Sequence, residues 1–157
     1  MVNTVYFGSA FRARKLIVDR MRATIGRLQA TGELPQDLSI AFRGMSGAVI
    51  APIVAHELDL GLIVVRKPND SSHSENRVEG ERHKPYVIVD DFVSTGTTVL
   101  AIIEAIEDSG MGQSCLGVIL YQRPWWKPTF THEDFESPLP VWFAGQAEGE
   151  DSHPDFA

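Results

Sequence analysis

The stretch Tyr86–Ile106, YVIVDDFVSTGTTVLAIIEAI, constrains this chain more than any other. An apolar, β-branched run ends in two adjacent carboxylates, Asp90 and Asp91. Small hydroxyl residues around Gly96 follow, and then Val99, Ile102, Ile103 and Ile106 recur at helical spacing. The pattern predicts a strand over 87–90, a tight turn, and a helix over 97–108. Two neighbouring anions repel, so their adjacency implies a ligand that uses both. A turn of small residues lets another group approach the backbone closely. Taken alone, the acid pair reads better as a solvated turn before a capped helix; the whole string favours a ligand.

Matching units lie on either side. Residues 39–42 and 62–65 predict strands, as does the apolar run 115–121. Arg43-Gly44-Met45-Ser46-Gly47 reads as a glycine turn. Residues 48–58 read as a buried helix in which Pro52 is tolerated because it lies in the first turns. Upstream, 2–7 is a candidate strand. Residues 11–30 form an amphipathic helix with Leu16, Ile17, Met21, Ile25 and Leu28 on its apolar side, ending near Thr31-Gly32. Strands alternating with helices imply an α/β fold with a central, mostly parallel sheet flanked by helices and right-handed crossovers. The continuous apolar runs fit strands covered on both faces.

The expected organisation is a single domain. Its core spans about 38–121, a proline- and aromatic-rich hood about 122–145, and an acidic tail 146–157. A length of 157 residues suffices to bury a normal core. Residues 68–83, PNDSSHSENRVEGERH, are polar and aperiodic, the character of a functional lid. No run of about 18 apolar residues is present, which disfavours a membrane span. The basic residues of MVNTVYFGSAFRARK follow a short apolar run, the wrong order for a signal peptide. With its single cysteine, Cys115, read as a small core residue, this points to the cytoplasm. A formal net charge of −7 disfavours broad nucleic-acid binding. An anionic ligand would therefore be held by a few local cations and backbone dipoles.

Ligands of such sheets bind beyond the carboxyl ends of the strands. Asp90 and Asp91 stand at such an end. Ser94, Thr95, Gly96, Thr97 and Thr98 lead into a helix N-terminus, where free amides and the helix dipole attract an anion. Acids that accept hydrogen bonds from a diol, beside amides that hold a phosphate, suit a ribose 5-phosphate. Arg43, Arg66 and Lys67 add three cations near the same edge.

VIVDDFVSTGTTV resembles the phosphoribosyl-diphosphate (PRPP) binding motif of the type I phosphoribosyltransferases, with Phe92 where an aliphatic residue is usual. SIAFRGMSG resembles that family's pyrophosphate loop, which often carries a strained cis peptide. IVVRKPNDSSHSENRVEGE resembles the strand and flexible loop that closes over the active site. The resemblance covers about residues 38–145. It implies the type I phosphoribosyltransferase fold and transfer of a 5-phosphoribosyl group from PRPP to a nucleobase, with Mg²⁺ as cofactor. It implies catalytic roles for Asp90, Asp91 and Arg43, and Asp91 as the nearest metal contact. PRPP would be held by Arg43, Gly44, Arg66, Lys67, Asp90, Asp91 and Ser94 to Thr98. Arg77, Arg82, Lys84 and the Ser71-Ser72 pair are further candidates on closure.

YQRPWWKPTFTHEDFESPLPVWFAG resembles the hood of the 6-oxopurine branch, most closely the xanthine–guanine enzymes. By that resemblance Arg123 meets the purine O6, Trp142 stacks on the ring and Phe143 offers backbone groups to the base edge. Trp125 and Trp126 wall the hood or contact a second copy in a homodimer or larger homo-oligomer. One departure bears on the base. The 6-oxopurine loop carries an aspartate where this chain has Ser94, and an unperturbed serine is no proton acceptor near pH 7. Serine or threonine occurs in orotate-type loops, so orotate and other nucleobases compete with a purine, unless an acid such as Glu148 compensates. A non-catalytic PRPP-binding regulatory module is the alternative of another class.

Overall fold

Successive side chains of a strand point to opposite faces, and that alternation divides the core in two. The computed structural model describes residues 13–70, 76–81, 83–110 and 113–145. In chain order the elements are α1 (Arg14–Ala30), β1 (Ser39–Phe42), α2 (Gly44–Ala48), α3 (Ala51–Leu58), β2 (Gly61–Val65) and β3 (Val78–Gly80). Then follow β4 (Tyr86–Asp90), α4 (Thr97–Asp108), β5 (Cys115–Leu120), β6 (Thr129–Phe130) and β7 (Leu139–Phe143). The sheet order is β3-β2-β1-β4-β5-β7-β6. Strands β2, β1, β4, β5 and β7 run parallel, while β3 and β6 lie antiparallel on the two edges. This is the expected mixed α/β architecture.

Ile40, Phe42, Val87, Val89 and Ile119 face α1 and α3. Ala41, Ile63, Ile88, Val118 and Leu120 face α4 and the hood residue Phe130. Helix α1 buries Ile17, Val18, Met21, Thr24, Ile25 and Leu28, a stripe at the three- and four-residue spacing of one helix face. Leu16, expected on that stripe, lies off it and is 45% exposed. Pro52 sits in the first turn of α3, where its missing N–H has no intrahelical partner to lose.

Three local features depart from the sequence reading. The glycine turn after β1 closes into the short helix α2 behind Gly44, whose φ is +79°. Gly47 in that helix packs so closely on Phe42 that an added Cβ would stand 2.5 Å from the phenylalanine Cβ. The polar segment 68–83 contains β3, which pairs with β2 in the register Val65↔Val78 and Ile63↔Gly80. A bulge sets Tyr86 opposite Cys115 but Val87 opposite Gly117. No cis peptide occurs among the described residues. The candidate strand 2–7 and the tail 146–157 lie outside them. Among the described residues no helix is long and apolar enough to cross a membrane.

Candidate active site

The carboxyl end of β4 lies beside the carboxyl ends of its parallel neighbours β1 and β5. A cavity of about 460 Å³ opens there. Its lining brings together Arg43 and Gly44 from the end of β1, Lys67 beyond β2, Asp90 and Asp91, and the turn Ser94 to Thr98. Ten positions expected from separate stretches of sequence thus meet in one place.

Both acids are 6% exposed. Each accepts a hydrogen bond from the next amide: Asp91 N–H donates to Asp90 Oδ1 at 2.9 Å and Phe92 N–H to Asp91 Oδ1 at 2.7 Å. The Ser46 hydroxyl donates to Asp90 Oδ1 at 3.1 Å. Burial, and then the neighbouring Asp91, push the Asp90 carboxyl from an ordinary 3.8 up to about 7. The folded protein therefore holds a proton that the unfolded chain has released between about pH 4 and 7. Stability falls as pH rises through that window. Asp90→Asn is expected to remove this slope and to stabilise the protein at pH 8 by about 1–3 kcal/mol, less than the whole shift would give. Denaturant unfolding at pH 4.5 and pH 8 measures it. An identical pH dependence in parent and variant would refute the assignment.

Two cations line the same cavity. Arg43 precedes α2 with extended backbone (φ −143°, ψ 134°), and its Nε is buried without a hydrogen-bond partner. Lys67 reaches across Gly44, where an added Cβ would lie 3.7 Å from Lys67 Cε and 3.9 Å from its Nζ. Neither side chain has an ion-pair partner among the described residues.

The third wall is the turn before α4. Gly96 is the N-cap with φ +87° and has no side chain to cap the helix. The Thr97 amide donates to the Thr95 hydroxyl at 3.4 Å, and the amides that follow it at the helix start are available to a ligand. Thr95 and Thr97 share a hydroxyl hydrogen bond of 2.8 Å. The positive φ favours glycine at 96.

Four expected site residues lie elsewhere. Arg66 turns to the sheet edge and pairs with Glu79 of β3 at 2.5 Å. Arg123 is exposed, with its guanidinium carbon 5.6 Å from the centroid of the cavity-lining Phe92 ring. Trp142 is not the expected stacking platform at the cavity. Its register partner is Ile119. On that sheet face its ring fills the space above Gly117, where an added Cβ would stand 2.5 Å from Cζ3. Phe143 points to the opposite face and packs with the core beneath α4. The strand register decides both orientations. Lys84 pairs with Asp37 at 2.9 Å and with Glu81 at 3.7 Å. Residues 71–75 and Arg82 lie outside the described residues, as does Glu148.

One supporting side chain at this edge escaped the sequence reading. Buried Tyr121 donates its hydroxyl to the Ser46 carbonyl at 2.9 Å, tying the end of β5 to the loop that holds Asp90. Its pKa is raised by burial and by the charges of Asp91 and Asp90, so it remains a donor. The only sign of it in sequence is a hydroxyl-bearing residue ending an apolar strand. The backbone of the hood also begins here, with Gln122 N–H donating to the Asp91 carbonyl at 2.8 Å.

The model of the phosphoribosyl transferase domain matches residues 44–128 of the 157. The chain belongs to this family. The phosphoribosyl transferase match includes Gly44, Lys67, Asp90 to Thr98 and Arg123, and leaves Arg43, Trp142 and Phe143 outside. The chain is 28% identical over 114 residues to an orotate phosphoribosyltransferase of Coxiella burnetii, which covers 71% of this chain and 52% of the relative. An orotate phosphoribosyltransferase of Lactobacillus johnsonii is 32% identical over 102 residues, 62% of this chain and 48% of the relative. The chain thus spans about half the length of these curated relatives. Among solved structures, an adenine phosphoribosyltransferase superposes with a TM-score of 0.59 at 19% identity, covering 85% of this chain and 82% of that one. A phosphoribosyltransferase from Corynebacterium diphtheriae gives 0.53 at 24% identity, covering 70% and 65%. These likenesses establish the fold.

The family implies magnesium, and the donor set fits it in a particular way. Among the described residues no cluster of three or more His, Cys, Asp or Glu side chains could cage a metal. Two carboxylates facing a cavity, however, suit an ion that takes most of its oxygens from substrate and water.

Proposed function

We propose that the chain transfers the 5-phosphoribosyl group of PRPP to a ring nitrogen of a nucleobase, giving a nucleoside monophosphate and diphosphate. The observation that carries this reading is the meeting, around one cavity, of a buried acid pair, a helix N-terminus and two cations that have no ion-pair partner among the described residues. The amides and hydroxyls of Ser94 to Thr98 hold the 5-phosphate. Asp90 and Asp91 accept the ribose 2- and 3-hydroxyls. Arg43, the Gly44 backbone and Lys67 hold the diphosphate. The C1–O bond breaks with its electron pair going to the diphosphate, the nitrogen–C1 bond forms, and the N–H proton of the base passes to water. Little protein nucleophilicity is required. The chain positions the reactants, stabilises charge developing on the leaving group, and excludes water. Mg²⁺ held near Asp91 supplies further charge neutralisation on the donor.

The acceptor has two supported readings. Orotate is favoured by the curated relatives and by Ser94, which stands exposed on the cavity wall where the 6-oxopurine pattern has an acid. A 6-oxopurine such as xanthine, guanine or hypoxanthine is favoured by the hood resemblance. There Arg123, beside Phe92 at the cavity rim, is the remaining base contact. The reaction belongs to nucleotide salvage or synthesis in the cytoplasm. Trp126, 73% exposed, suits contact with a second copy of the chain.

Diphosphate release from PRPP and Mg²⁺ should be measured with orotate, uracil, adenine, guanine, xanthine and hypoxanthine. Release with one of these bases is the expected result. PRPP binding with no release for any base would replace the enzyme by a regulatory binding module, and no PRPP binding would end both readings. In Arg123→Ala, a loss for guanine but not for adenine supports the purine reading, because the 6-amino group of adenine repels a cationic donor. Orotate outrunning every purine in the parent would overturn it.

A further inference from the structure

We propose that Phe130 of the hood is a positioning residue of the phosphate turn, pressing on Gly96 so that the first amides of α4 stay aimed at the cavity. This rests on the reading of Ser94 to Thr98 as a phosphate site. The turn has little else to hold it. Among the described residues no side chain of the N-cap closes α4, and the Thr95 hydroxyl bonds to the Thr97 hydroxyl and amide lie within the turn itself. Ser94, Thr95, Thr97 and Thr98 are exposed, and Gly96 is the one buried residue among the five.

What buries it is the Phe130 ring. A Cβ added at Gly96 would collide with Phe130 Cε2 and Cζ, so that edge of the ring lies hard against the glycine backbone. Glycine is thus required at 96 for space as well as for φ. The ring is itself clamped. Phe130 is 6% exposed, with its centroid 6.2 Å from that of Trp125 and 6.0 Å from that of Phe135. The Trp125 indole N–H donates to the Thr129 carbonyl at 3.2 Å, and β6 pairs Phe130 with Leu139 of β7. The ring cannot leave Gly96 without opening the aromatic core of the hood. Rigid placement of amides before the ligand arrives lowers the ordering cost of binding.

Binding of ribose 5-phosphate, measured by calorimetry well below the melting temperature, tests this in the parent, Phe130→Ala and Phe130→Leu. Phe130→Ala should bind about tenfold more weakly, with Phe130→Leu in between. In turnover with PRPP, KM for PRPP should rise while kcat and KM for the base change little. Gly96→Ala should cost less melting temperature in the Phe130→Ala background than in the parent, because the collision is gone and only the backbone strain remains. A lowered melting temperature with unchanged ribose 5-phosphate affinity in both Phe130 variants would make the ring ordinary core and overturn the proposal. Should Phe130→Ala not fold, affinity in Phe130→Leu equal to the parent's overturns it as well. A parent that fails to bind ribose 5-phosphate overturns the phosphate reading of the turn itself, and this proposal with it.

Discussion

Asp90→Asn combined with Asp91→Asn is expected to weaken PRPP binding by more than tenfold while the fold survives. Each carboxylate removed is a charged acceptor for a ribose hydroxyl, and such hydrogen bonds contribute roughly 1.5–3 kcal/mol apiece. The fold should tolerate the change because an asparagine Oδ1 can still accept the amide and hydroxyl donors that now meet Asp90 Oδ1. Burying two neutral amides is also easier than burying adjacent anions. Function and stability should therefore move in opposite directions at pH 8, as happens where a site is kept at the expense of the fold. Calorimetric titration with PRPP and Mg²⁺ gives the affinity, and unfolding gives the stability. Unchanged PRPP affinity in the double variant would remove the acids from the site.

Arg43→Ala should lower kcat by about 10²–10³, with KM for the base nearly unchanged. That is the usual loss when one fixed donor to a developing negative charge is removed. The Arg43 side chain lines the cavity and has no ion-pair partner among the described residues, so its guanidinium would meet a diphosphate oxygen there. Arg43→Lys should recover only part of the rate, because a lysine cannot reproduce a planar fork of donors. The experiment is steady-state turnover together with inhibition by added diphosphate, which should weaken in parallel. A variant with parental kcat and parental diphosphate inhibition would show that Lys67 and the metal suffice.

Much of this site was legible because its chemistry is local. Asp90, Asp91 and the turn to Thr98 are contiguous, and a fully buried strand before them and an amphipathic helix after them leave few ways to fold. Arg43 and Lys67 were legible because each follows an apolar run whose carboxyl end had to lie at the same edge. The failures are failures of register. Nothing in VRK reveals that Arg66 faces β3, because β3 is only three residues long and contributes one buried side chain, Val78. Trp142 was read towards the ligand, yet a one-residue alternation decides which sheet face receives it. The space over Gly117 that accepts its ring comes from a distant strand. Phe130 and Tyr121 were missed for the same reason. Each acts on residues 34 or more positions away, and a single sequence carries no trace of that pairing.

The order of strands in the sheet also has a kinetic consequence. Arg43 follows β1, Lys67 follows β2, the acids end β4, and the ring against Gly96 comes from β6. Strand β1 stands between β2 and β4, so the cavity closes only after a segment near residue 40 has docked on one near residue 87. Pairings of that span form late and slowly. The lining runs from Arg43 to Val99, so no short segment of the chain carries the whole pocket. A bound sugar phosphate should therefore slow unfolding in proportion to its occupancy while leaving the refolding rate untouched.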